Sequence, residues 1–161
     1  MANTHKYHPS SLDQEVIRAF AHTTESAVVK RGCSASDFCK KVIDTDIFKN
    51  FPEDYTVFVR SPHCVSKMIL DELEEKGIRV NPIENEEYRA IDGDAAYWMG
   101  YVMMQWLFGY KDALSEMKSI DYRLFYESYD ILHTQDVNYA IEFIIEEYSV
   151  DKEKDTSYYP G

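Results

Sequence analysis

The chain has no C-x-x-C pair, no glycine-rich loop, no internal repeat and no low-complexity tract. Its three cysteines, Cys33, Cys39 and Cys64, are odd in number and suit reduced, buried thiols better than a disulfide framework. Basic residues are scarce: 17 stand against 29 acidic ones, for a net charge of −12. A surface so acidic repels nucleic-acid phosphates and anionic lipid, and it attracts a basic partner. The opening residues, MANTHKYHPSS, carry no apolar run of the signal-peptide kind. Together these absences point to a cytoplasmic protein. A length of 161 residues suffices for one domain whose core needs no metal or disulfide.

What the chain does contain is an uncharged run from Ala95 to Tyr110, AAYWMGYVMMQWLFGY, with large side chains at every helical angle. A helix without a polar face must be surrounded, by protein or by lipid. Its 16 residues span roughly 24 Å as a helix, short of the ~30 Å hydrocarbon core. Gln105 and three tyrosines interrupt it, and acids crowd both flanks. Protein is therefore the expected surround. Asp92 or Asp94 is the expected cap and Gly109 the expected end. Gly100 suggests a close crossing by a neighbouring helix, with the last helix as the candidate.

The other segments follow from caps and periodicity. Residues 1–10 form a loosely held N-terminus, 11–148 a single helical domain, and 149–161 an acidic polar tail. Ser11 with Gln14 resembles a capping box before Val16, Ile17, Phe20, Thr24, Ala27 and Val28, and Gly32 ends that helix. Ser34 or Ser36 restarts the chain for Phe38, Val42 and Ile43. Ile47, Phe48 and Phe51 give one further turn before Pro52. Tyr55–Arg60 alternates like a strand but has no partner strand, so an extended connector is expected. Ser61-Pro62 starts a helix with Val65, Met68, Ile69 and Leu73 inward, Glu72 reaching Lys76, and Gly77 at its end. The stretch Ile78–Asp92 reads as a mobile loop. A short helix over Asp112–Lys118, one from Asp121 to His133, and a final amphipath capped by Asp136 complete the chain. In that last helix Val137, Ala140, Ile141, Ile144, Ile145 and Tyr148 share a face. The expected fold is all-α, an orthogonal bundle of six or seven short helices around 95–110. Trp98, Gly100, Tyr101, Trp106, Ile141 and Ile144 are expected in its core.

Few residues suggest chemistry. Tyr129, His133 and Asp136 are the right types for a proton-transfer group, with Glu84–Glu87 able to close over it. The simpler reading makes Asp136 a helix cap and His133 a turn residue, since no nucleophile accompanies them. His5 and His8 form an H-x-x-H pair without a third ligand, so no metal or other cofactor is expected. Lys30, Arg31, Lys40, Lys41 and Lys49 fall in two helices joined near Gly32, as in a helix-turn-helix DNA reader. The acidic balance opposes that reading. Glu142 and Glu146 share a helix face that is most simply solvated. The 13 tyrosines are the unusual feature. Tyr122, Phe125, Tyr126, Tyr129 and His133 line one side of their helix, and Leu124, Ile131 and Leu132 another. One side can fill the core, leaving the other as an interface. Tyr158 and Tyr159 on the tail offer a second docking element.

The order of these features resembles a group of small acidic helical proteins of Firmicutes and related bacteria. That group carries an aromatic helix of the form Y-W-x-G-[WY], a tyrosine-rich helix and an H-x-x-D turn. The corresponding residues are Tyr97-Trp98-Met99-Gly100-Tyr101, then Trp106, Gly109, Tyr129 and His133-Thr134-Gln135-Asp136, with Ser61-Pro62 as the middle helix start. The likeness covers roughly residues 36–146. Met103-Met104-Gln105 departs from the Tyr-Tyr pair and basic residues of many members. Because such proteins are often encoded beside toxin–antitoxin modules, the resemblance implies an antitoxin-like inhibitor or regulator of a partner protein, and no catalytic residues. Tyr122, Tyr126, Tyr129, His133, Tyr158 and Tyr159 are then the candidate partner-binding residues. A small enzyme using residues 129–136 and a DNA-binding regulator are the alternatives. Oligomeric state is left open.

Overall fold

The Ser10 hydroxyl accepts the Asp13 amide at 3.1 Å and opens α1 (Ser11–Val29), one residue earlier than the expected capping serine. The structure is a computed structural model that describes residues 7–150. Among these are ten α-helices and no β-strand. The all-α bundle expected from periodicity is therefore what forms, though with ten helices among the described residues in place of six or seven, because several expected segments are divided by short turns. The helices are α2 (Ala35–Val42), α3 (Asp46–Asn50), α4 (Tyr55–Phe58), α5 (Pro62–Glu75), α6 (Arg89–Gly109), α7 (Ala113–Lys118), α8 (Tyr122–Glu127), α9 (Tyr129–Leu132) and α10 (Val137–Glu147).

The central helix is longer than expected. Asn85 caps a 3₁₀ turn, Glu86–Tyr88, which runs directly into α6 at Arg89. Asp92 and Asp94 thus lie inside α6 instead of capping it. The expected surround of protein is present: Trp98, Met99, Val102, Met103, Met104 and Trp106 are all buried. Tyr101 is half-buried at the core's edge. The Trp106 indole donates to Glu116 Oε1 at 2.8 Å, which satisfies its buried N–H and draws α7 against α6. No helix among the described residues is long and apolar enough to cross a membrane.

Gly100 does face a close neighbour, but that neighbour is α1 and not the last helix. A Cβ at Gly100 would lie 2.5 Å from Thr24 Oγ1 and 3.1 Å from Ala21 Cα. Two turns earlier, a Cβ at Gly93 would meet Val29 Cγ2 at 2.5 Å. The pairs 93 with 29 and 100 with 24 run in opposite directions, so α1 and α6 are antiparallel. Thr24 tolerates complete burial because its hydroxyl donates to Phe20 O at 3.0 Å within its own helix. Ile141 and Ile144 of α10 are buried as expected, and Gln105 of α6 reaches Asn138 of α10.

Other expectations are corrected in detail. Residues 55–60 do not form an extended connector. With no strand beside them, the segment takes the cap that Asp54 offers to the Thr56 amide, and forms α4. The segment after Gly77 is tied down: Ser34 N donates to Asn81 O, Ile83 N to Gly32 O, and Asn81 N to Asp37 Oδ2. Ile83 is buried as a result. The expected helix over 121–133 divides at Ser128, whose hydroxyl turns back to Phe125 O. Residues 7–10 are docked, because Tyr7 bonds Asp13 and stacks on Phe108. Glu72 not only meets Lys76 at 3.1 Å but also accepts the Asp46 and Ile47 amides at the start of α3. Burial works to raise its carboxyl, yet those amides and the ammonium prevail and hold it below the usual range.

Gly100→Ala tests the α1–α6 seam. On an unobstructed helix the change would stabilise by about 1 kcal/mol. Here overpacking should reverse the sign and lower stability by about 1–3 kcal/mol in chemical denaturation. An unchanged or higher midpoint would refute the close crossing.

Candidate functional site

Ser34, the cap of α2, sits beside the pinned 81–85 segment, and both face the first turn of α6 and one side of α8. Between them is a cavity of about 340 Å³ whose walls include Ser36, Glu84, Tyr88, Asp92, Arg123 and Tyr126. It continues into a second cleft of about 740 Å³ bordered by Lys40, Lys118, Asp121 and Tyr122.

Asp92 is the chemically distinctive group. It is 8% exposed, and its Oδ1 accepts the Tyr126 hydroxyl at 2.5 Å. Its position in the first turn of α6 places the carboxylate in the favourable field of the helix N-terminus. Burial foremost, and then the bond to Asp92 and its charge, push the Tyr126 phenol up to about 12. Tyr126 therefore acts as a donor across the neutral range. Arg123 lines both the cavity and the cleft and is bonded through Nε to Glu127 Oε2 at 3.0 Å. That bond, with Glu127 and Glu84 nearby, raises the guanidinium further above its ordinary value.

The tyrosine stripe divides among three settings. Tyr122 is buried and its hydroxyl donates to Met117 O at 2.8 Å, so it is core and not interface. Tyr126 enters the cavity wall. Tyr129 packs edge-on to Trp98 at 5.9 Å and stacks with His133 at 4.3 Å. His133 Nδ1 lies 2.7 Å from Tyr129 O, while Asp136 caps α10 by accepting the Asn138 and Tyr139 amides. The three residues thus serve as ring stack and cap, and no hydrogen bond joins His133 to Asp136. Glu84 does face a cavity, but that of Asp92 and Tyr126. On the opposite side Leu132 is buried, while Leu124 and Ile131 are exposed.

Tyr158, Tyr159 and His5 lie outside the described residues, and His8 is exposed. Of the basic residues near Gly32, two are committed internally. Arg31 bonds Ser66 and the His63 carbonyl, and Lys41 bonds Asp37 and Arg79 O. Asp92, Tyr88 and Glu84 were not singled out together from sequence. Asp92 and Tyr126 are 34 positions apart, and no local spacing reports the contact. The available signal is an acid just ahead of an apolar run, a position that suits a helix cap equally well.

Comparisons with protein families, with curated proteins and with solved structures gave no match to this chain.

Tyr126→Phe should leave Asp92 buried without its donor and lower stability by about 1–3 kcal/mol at pH 7. The pH dependence has a defined sign. A phenol raised in the folded state stabilises fully below its ordinary value of 10.0 and loses that contribution as pH rises toward about 12. Denaturation curves across this window should therefore fall more steeply for the parent protein than for Tyr126→Phe. Parallel curves would show that Tyr126 carries no linkage.

Proposed function

We propose that this chain is a cytoplasmic protein-binding module, an antitoxin-like inhibitor or regulator of a basic partner protein. The observation that carries the reading is a patch beside the cavity. Tyr88 is 52% exposed and Ile91, one turn further along, is 61% exposed. Glu84, Glu87 and Asp94, within a few residues of them along the chain, are exposed as well. A small apolar centre within a charged rim is the usual anatomy of a protein interface. Long-range attraction from the −12 charge would speed encounter with a basic partner without fixing the bound pose. Interface roles for Tyr126, Tyr129 and His133 belong to the same reading, since each keeps part of its ring accessible. The resemblance to acidic helical proteins encoded near toxin–antitoxin modules supports the inhibitor role.

Co-expression with the product of the neighbouring gene, followed by pull-down and a growth assay, tests the proposal. A stable complex and relief of toxicity are expected. Ile91→Asp should weaken the complex by about tenfold or more while leaving the melting temperature nearly unchanged, because the side chain is a solvent-exposed anchor. Absence of both complex and rescue would overturn the reading.

A further inference from the structure

We infer that the 340 Å³ cavity is a socket for an organic cation, the guanidinium or ammonium end of an arginine or lysine side chain on the partner. This inference rests on the protein-binding reading and names the chemistry of its anchor.

Four observations converge on it. First, Asp92 is almost fully buried, yet it forms no ion pair with any lysine, arginine or histidine among the described residues. Its one hydrogen-bond donor is neutral and the helix N-terminus supplies only a partial positive charge, so a full cation with matching hydrogen bonds is the partner its carboxylate lacks. Second, Oδ1 is occupied by Tyr126, whereas Oδ2 accepts no hydrogen bond from the described residues and is not sealed from the cavity that Asp92 lines. One carboxylate oxygen is oriented and the other remains open. Third, Tyr88 and Tyr126 both line the cavity, and tyrosine rings beside a desolvated cation can attract it through their faces. Fourth, Glu84 adds a second carboxylate to the lining, and the volume lies at the small end of ligand sites, suited to a side-chain terminus.

Arg123 sharpens the argument. The residue lines the same cavity, but its Nε donates to Glu127 Oε2, 3.0 Å away, and it does not pair with Asp92. It is a resident cation beside the cavity and would repel an incoming one. Removing it should favour a cationic occupant and disfavour an anionic one. The sign of that effect discriminates between the two.

The test titrates the full chain with acetyl-Gly-Arg-Gly-amide and with agmatine, followed by amide resonances and calorimetry. A citrulline peptide of equal length provides the neutral control. The arginine peptide should perturb Tyr88, Asp92 and Tyr126, and the citrulline peptide should not. Asp92→Asn, which preserves an acceptor for Tyr126, should weaken peptide binding by about tenfold, and Arg123→Gln should strengthen it. Equal binding of the citrulline peptide, indifference to Asp92→Asn, or loss of binding in Arg123→Gln would each overturn the cation socket. Binding of agmatine but not of the arginine peptide would make it a small-molecule site and refute the side-chain anchor. A partner complex that tolerates Asp92→Asn unchanged would refute the anchor while leaving the protein-binding module standing.

Discussion

The close antiparallel contact between α1 and α6 is the constraint on which the rest of the molecule depends. Gly93 and Gly100 remove side-chain bulk where Val29, Thr24 and Ala21 press in. The backbones can then approach closely enough for the large residues on α6's other faces to be covered by the remaining helices. A helix with bulky residues on all sides would otherwise hold every neighbour at a distance. The two glycines give α6 a flat side, and that side fixes how α1 lies. Once α1 is placed, its C-terminal turn at Gly32 meets Ile83, and α2 follows from there.

The peripheral elements are positioned by polar contacts more than by their own propensity. Helices of four to six residues do not persist alone in water, since nucleation outweighs the few bonds they form. Here three of them, α3, α7 and α8, are held from outside. Glu72 of α5 accepts the first amides of α3, Glu116 of α7 takes the Trp106 indole, and Asp92 of α6 takes the Tyr126 hydroxyl from α8. Acidic side chains thus act as fasteners between elements. This accounts for part of an acidic excess that otherwise reads only as surface charge.

Periodicity made the long elements legible. The buried faces of α1, α5 and α10 and the engulfed run of α6 follow from spacing, because burial of a helical stripe is a local property of the chain. The contacts among elements were not legible in the same way. Gly100 announced a close crossing without saying which helix crossed. Asp92 looked like a cap because its partner lies far along the chain, and Tyr122 and Tyr126 looked equivalent until their depths separated them. Residues 55–60 illustrate a different failure. Alternation of β-branched and aromatic side chains describes a strand only if another strand exists to pair with it. The candidate cavity was hidden for the same general reason, since its walls come from four separate segments.

Both tryptophans of the chain lie on α6, and their surroundings differ. Trp106 is wholly enclosed with its indole bonded to a carboxylate, whereas Trp98 meets Phe125 and Tyr129 near the α8–α9 break. Tryptophan fluorescence therefore samples the middle and the C-terminal end of one helix and little else. A ligand settling near α8 would register chiefly through Trp98. Fraying of α4 would leave both signals dark to the event, so a spectroscopically native emission certifies the hub of this molecule and not its rim.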